Sequence, residues 1–375
     1  MNYIEFRDTI VAWNREFLIE TEYNEEINEV TARVSENEHI LNTFHFPLRE
    51  KPENSELEQI AKKNHKSILG DWELLFYIYA KVKKSNHASS LNKMGQLLSK
   101  KNLIQEAIDC FTQAIVRDEK NIDAYINLGK AYIKAEFYPE AEDILTRVLE
   151  MSPEYADIHL YLGIAHLKRL DFPDAVNCLE KALQINPKYD FSHFMMAVAY
   201  LLSIVDKVDA SEMIPVSFRQ KKILGHLQKA MDLNTYFEHA NVRQVMKEIH
   251  DENYQSAANL LESVEQSFEP EKDNHYDEEF YLNFMFGGKS KDDKIISDYI
   301  DLLHRRSQDK PNFPDIRNNL GIAYLIQCRN MFLKAIEQFR KALKINPNFK
   351  DAKKNLKLAE NEGKGFIILL RALLK

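Results

Sequence analysis

Along residues 88–200 the apolar residues recur at spacings of three, four and seven, with Lys, Glu, Asp and Asn between them. Such spacing places one apolar stripe along each helix it runs through. The stripes come in pairs, and the pairs repeat: Gly95, Gly129, Gly163 and Ala197 follow one another at intervals of 34 residues. With that small residue taken as position 8, the units run 88–121, 122–155, 156–189 and onward from 190. Bulky residues fill position 7 (Met94, Leu128, Leu162, Met196) and position 24 (Phe111, Leu145, Leu179), and Ala107, Ala141 and Ala175 hold position 20. Each unit therefore predicts a helical hairpin whose two helices approach closely at the small residues. Pro153, Pro187 and Pro347 then stop second helices.

Outside this block the pattern loosens. In the fourth unit position 20 is displaced to Ile223, so an insertion is expected near 203–219. A degenerate fifth unit ends in NYQSAANLLESV, with Tyr254, Ala257, Leu261 and Val264 in place, and a sixth reads YDEEFYLNFMFGG followed by DDKIISDYIDLLHRR. Residues 350–375 predict C-terminal capping helices: KDAKKNLKLAENEG is polar enough to solvate an exposed end, and FIILLRALL is a final packed helix, a docking segment or an interrupted junction to a further domain. Residues 1–87 lack the period but carry apolar-periodic stretches at 3–19 and 72–82 and the segment ELEQIAKKNHKSIL, which predict a divergent helical N-terminal cap. A DNA-reading helix-turn-helix there is rejected, because Asn64, His65 and Lys66 stand where a Gly and apolar neighbours belong.

Composition narrows the class. Only 10 Gly and 11 Pro in 375 residues favour a mostly helical chain. A formal charge of -8 offers no field to hold a phosphate backbone, which argues against nucleic acid as a partner. Cys110, Cys178 and Cys328 are too few and too scattered for a disulfide framework, and the start of the chain has no leader-like apolar run, so the expected location is cytoplasmic. The apolar run at 366–374 is about half the roughly 20 residues of a membrane-spanning helix and contains Arg371.

Candidate chemistry is sparse. His159, His166 and His193 could be weighed as metal ligands, but they fall at positions 4, 11 and 4, where large packing residues belong, with no acid or Cys pair at ligand spacing. The chain has no GxSxG elbow, Gly-rich phosphate loop or HExxH pair, so neither a catalytic site nor a cofactor is expected.

Column by column the units resemble tetratricopeptide repeats. The likeness is tight over 88–200 and returns over 314–349 through Leu320, Gly321, Tyr324, Ala335, Phe339, Ala342 and Pro347, with two residues inserted between the helices. It implies an all-α, right-handed superhelical solenoid of about seven hairpins over 88–349. In that family the first helices line a concave groove, which would present Asn127 and Lys130 at a polar, mildly basic end. Leu160, Tyr161, Ile164, Phe191, Phe194, Met195 and Val198 would form an apolar stretch, and Asn319 would stand at the same repeat position as Asn127. The family's clamp for C-terminal carboxylates is matched only at Asn127, since Asn92, Gln96, Asp157 and Tyr161 depart from it. The resemblance implies a non-enzymatic scaffold or adaptor that binds a peptide or helix of another protein. Alternatively, the groove is covered by the chain itself, through the 203–219 insertion or the N-terminal cap, until a peptide or small effector displaces the cover.

Overall fold

The computed structural model describes residues 4–50, 52–208, 213–239, 241–268, 275–287, 293–309, 314–348 and 350–360. Its first part corrects the helical cap expected from the sequence. Strands β1 (Glu5–Ala12), β2 (Arg15–Asn24), β3 (Glu29–Glu36) and β4 (His39–Pro47) form an antiparallel meander in the order β1-β2-β3-β4. The period here is two. Phe17, Ile19 and Thr21 alternate inward along β2 and Val30, Ala32 and Val34 along β3, while most of the residues between them are less buried. The β1–β2 and β3–β4 links are two-residue turns with positive φ at Trp13 and Asn14, and at Asn37 and Glu38, as the right-handed twist of a hairpin favours.

The two remaining apolar-periodic stretches of that region do form helix. A single α1 (Asn54–Lys83) runs through both and lies on the inner face of the sheet. Phe17 meets Phe76 at 4.9 Å and Trp72 at 6.0 Å between ring centres, and Trp13 meets Phe76 at 4.8 Å. The buried His65 ring bridges Thr21 Oγ1 at 2.9 Å and Asp8 Oδ2 at 3.0 Å. A Thr-His-Asp relay has this outline, but Thr21 has no exposed surface, so the network ties helix to sheet and offers no nucleophile.

Four hairpins follow: α2 (Ala88–Lys100) with α3 (Ile104–Arg117), α4 (Ile122–Lys134) with α5 (Tyr138–Met151), α6 (Ala156–Lys168) with α7 (Phe172–Ile185), and α8 (Asp190–Val205) with α9 (Val216–Leu233). The first helix of each ends the same way. Asn102, Glu136, Leu170 and Lys207 have positive φ, and the next amide donates back to the carbonyl five residues earlier, as in Leu103 to Leu98 and Asp171 to His166. In the fourth hairpin the insertion is pinned by the fully buried Arg219, whose guanidinium donates to the carbonyls of Ser203, Val208 and Ile214. The core is continuous from the sheet into the repeats, since Phe17, Trp72, Phe111 and Leu145 belong to one buried cluster. Arg15 on β2 pairs with Glu36 and, at 3.0 Å, with Glu106 on α3.

Beyond α9 the regular order ends. The short α10 (Thr235–His239) leads to an antiparallel pair, α11 (Val242–His250) and α12 (Tyr254–Ser267), in which Ala257, Leu261 and Val264 are buried. Here α12 rather than α11 lies against α8. The expected sixth hairpin does not form as such: α13 (His275–Phe286) rests on α1 and α2, and α14 (Asp293–Asp309) pairs with α15 (Pro314–Ile345). The hairpin expected over 314–349 is also corrected. Its two helices are one 32-residue helix, because the stretch YLIQCRNMFLKA between them contains no Gly, Pro or capping turn to stop it. The FIILLRALL segment lies outside the described residues.

Glycine at position 8 has a measurable reason. A Cβ on Gly129 would stand 2.6 Å from Leu145 Cγ, and one on Gly95 would stand 2.5 Å from the Phe111 ring, whereas one on Gly321 would meet nothing within 4 Å. Gly129→Ala is therefore expected to lower stability by about 1–3 kcal/mol through overpacking. Gly321→Ala should raise it by roughly 0.5–1 kcal/mol, because only helix propensity changes there. Thermal melts followed by circular dichroism test the pair, and equal shifts would refute the close-approach account.

Candidate functional site

The first helices α2, α4, α6 and α8 stand side by side, and their repeat positions 2, 5, 6, 9, 12 and 13 share one face. At its α2–α4 end that face is polar. Asn127 donates to Asn92 Oδ1 at 3.0 Å, so its amide is engaged within the solenoid. Lys130 lies 5.1 Å over the ring of Tyr161, half-buried on α6, and Lys134 donates to the Ser99 carbonyl at 3.0 Å. With Lys93 and Lys100 on α2, four ammonium groups occupy this stretch of a chain whose net charge is negative.

The α6–α8 end is covered by the chain itself, though chiefly by other segments than the insertion or N-terminal cap expected. Leu160, Phe194 and Met195 have no exposed surface, and Ile164 and Val198 are buried as well; only Tyr161 and Phe191 remain half-exposed. The cover comes from later in the same chain. Phe237 of α10 stacks on Phe194 at 5.0 Å, and Phe268, just past α12, stacks on Phe191 at 4.7 Å and on Phe237 at 4.9 Å. Lys168 at the end of α6 pairs with Glu265 of α12 at 2.8 Å. The N-terminal region lies at the other end of the repeats, and the insertion adds Val208 and Met213 at the margin of this core. Reasoning from single repeats missed the cover, because it depends on α12 taking the place beside α8 that α11 would hold in a regular stack.

Asn319 is far in sequence from this stretch and belongs to a different arrangement. It donates to Asp277 Oδ2 at 3.3 Å, and Tyr299 donates to the other carboxylate oxygen at 2.5 Å. Asp277 sits on α13 beside a cleft of about 220 Å³ that Lys93, Phe284 and Asn319 help to line. The amide signal that groups Asn127 with Asn319 in sequence thus does not bring them together.

Two of the three histidines bond to backbone carbonyls, and the third has acids beside it, contrary to the expectation from spacing. His159 and His193 make the same bond in adjacent repeats: each Nε2 faces the carbonyl of the preceding repeat's proline, Pro153 at 3.2 Å and Pro187 at 3.1 Å. His166, by contrast, does have acids beside it. Asp171 and Asp174 bring carboxylates close enough for the three ligand atoms to lie within 4.8 Å of one another. Both acids occupy the start of α7, where a helix N-terminus favours negative charge, and that suffices to explain them. Burial pushes the Cys110 thiol up to about 12 and also raises Cys178, so neither is poised to react. Among the described residues no helix is long and apolar enough to cross a membrane.

Comparison with known proteins agrees with the repeat pattern. Residues 88–121 and 126–190 match family models described as tetratricopeptide repeat. Among solved structures the chain is similar to MamA, at 22% identity over 44% of this chain and 93% of that one, with a TM-score of 0.37. It is also similar to YrrB, described as a TPR protein with an unusual peptide-binding site, at 19% identity over 50% and 90%, TM-score 0.34. A third is TTC0263, a thermophilic TPR protein in Thermus thermophilus, at 15% identity over 64% and 99%, TM-score 0.36. No curated protein matches the chain.

Two outcomes follow from this geometry. Leu160→Glu and Phe194→Glu place a carboxylate in a filled core, so each should unfold the α6–α9 region, with loss of helical ellipticity. A soluble variant with unchanged helicity would mean that these positions face solvent. The second concerns acid. His193 Nε2 donates to the Pro187 carbonyl, which leaves its Nδ1 to accept, at 2.9 Å, the Nδ1 proton of His226. Burial first, then His193, Lys222 and Lys229, lower the His226 pKa to about 4. Between the ordinary histidine value of about 6.5 and that value, the unfolded chain takes up a proton that the folded chain refuses. Stability should therefore fall as pH drops from about 6.5 to 4, and His226→Gln should flatten the fall by about one proton's slope. Identical slopes in melts across this range would count against the buried neutral pair.

Proposed function

We propose that this chain, whose residues 88–121 and 126–190 are tetratricopeptide repeats, is a non-enzymatic protein-interaction scaffold that binds an acidic peptide or helix of a partner across its concave face. The observation that supports this reading is the lysine-bearing stretch of α2 and α4, with Lys93, Lys100, Lys130 and Lys134 on one face and Lys130 over the Tyr161 ring. Acids are plentiful on the second helices, at Glu106 and Asp109 on α3 and at Glu140, Glu142 and Asp143 on α5. Of the shared-face positions on α2 and α4, Asp123 alone is acidic and four are lysine. A basic stripe in an acidic chain steers negative segments to one face and repels them elsewhere. The lysine stems add apolar area beside it.

A second reading, regulation by self-occupancy, is favoured by Phe237 and Phe268, which lie over Phe191 and Phe194 where an external segment would otherwise bind. In that case a peptide or small effector would have to displace α12.

The first reading is tested by pull-down from native lysate with wild type and a Lys130→Glu/Lys134→Glu variant of unchanged melting temperature. A partner held by the wild type at low salt, weakened at about 0.3 M salt and lost in the variant supports it. Equal capture by both chains, insensitive to salt, would overturn it.

A further inference from the structure

The helix α13 lies out of the hairpin order. It makes no hairpin with α12; it lies with one side on α1 and α2 and the other on α14, where Phe280 stacks on Tyr299 at 3.9 Å and Asp277 accepts from the Tyr299 hydroxyl. Its sequence, HYDEEFYLNFMF, holds three acids and no Lys or Arg. Against α2 it makes a short set of directional contacts. Glu278 pairs with Lys100 at 3.3 Å, both side chains being largely buried. The Tyr281 hydroxyl meets Ser90 Oγ at 3.1 Å, and the Lys93 ammonium lies 5.2 Å over the Tyr281 ring. One turn on, Leu282 is fully buried, and Met285 and Phe286 pack on the same core. The contacting residues are thus spaced 0, 3, 4, 7 and 8, the spacing by which an amphipathic helix lies in a groove.

We infer that the α1–α2 end of the concave face is a receptor for an acidic aromatic helix, that α13 occupies it in cis, and that the partner carries a helix of the same chemistry. The required pattern is a carboxylate, then an aromatic hydroxyl and an aliphatic residue at +3 and +4, then apolar residues at +7 and +8. This rests on the scaffold reading above and specifies its partner. The contacts are of a kind that a second helix can reproduce: an ion pair, a hydroxyl bond and a cation over a ring fix orientation and register, while three apolar side chains supply buried area. A cleft of about 220 Å³ between α2, α13, α14 and α15, lined in part by Lys93, Phe284 and Asn319, leaves one edge of α13 unpacked. Tethering gives α13 an effective concentration in the millimolar range, so an equivalent helix in trans binds the intact chain weakly and a loosened chain well.

The test uses the full chain and a fluorescent peptide spanning residues 275–286, followed by anisotropy. Glu278→Lys/Tyr281→Ala in the chain, which weakens α13, should tighten peptide binding at least tenfold over wild type. Adding Lys100→Glu to that variant should abolish binding, and a peptide carrying Glu278→Lys should restore it. Equal affinity of wild type and the α13 variant, or no binding to a variant whose melt shows it folded, would overturn the inference. Should the double variant not fold, Lys100→Glu alone serves: it should accelerate amide exchange in 277–286 at least tenfold while leaving α4 and α6 unchanged, and unaltered exchange would refute the assignment. If the α13 assignment fails while Lys130→Glu/Lys134→Glu still loses the captured partner, the scaffold reading stands without it.

Discussion

The solenoid depends on one contact made three times. Gly95 faces Phe111, Gly129 faces Leu145 and Gly163 faces Leu179, each too close for a Cβ between them. A missing methyl group sets the distance between the two helices of a hairpin, and that distance in turn fixes which side chains of the first helix remain for the concave face. At Gly321, where a Cβ would meet nothing, α15 runs on as one helix.

That dependence also explains what the sequence made legible. The repeats from 88 to 189 could be read because their spacing, small residues and prolines all serve the same contact. The sheet at 5–47 could not be read from a search for helical spacing. Its alternation at Phe17, Ile19 and Thr21 covers a few residues of each strand, and its turn residues Trp13, Asn14, Asn37 and Glu38 include neither Gly nor Pro. The apolar excess at Leu160, Phe194 and Val198 was visible, and so was its need for a cover. The identity of the cover was not, because Phe237 and Phe268 reach it only through the order in which α11 and α12 dock. Asn127 and Asn319 were linked by repeat position, a relation that holds only where the hairpins stack in register.

Charge and burial divide the concave face between two kinds of surface. At the α2–α4 end, lysines and amides hold ion pairs, ring contacts and hydrogen bonds that are directional and reversible in salt. At the α6–α8 end, stacked aromatic rings exclude water and join the core. The two ends are thus held by different forces, directional polar contacts at one and water-excluded ring stacking at the other.

The shared core of the sheet, α1 and the first hairpins has a consequence for how the chain comes apart. A stack of repeats is held by nearest-neighbour interfaces, so fraying ordinarily starts at either end with similar ease. Here the leading end is bonded to a sheet through Phe17, Trp72 and the Arg15–Glu106 pair, contacts that span long stretches of chain. Local opening is thereby biased toward the α9–α12 end of the stack, and the array behaves as a zipper sewn shut at one side, with protection from solvent exchange graded along its length.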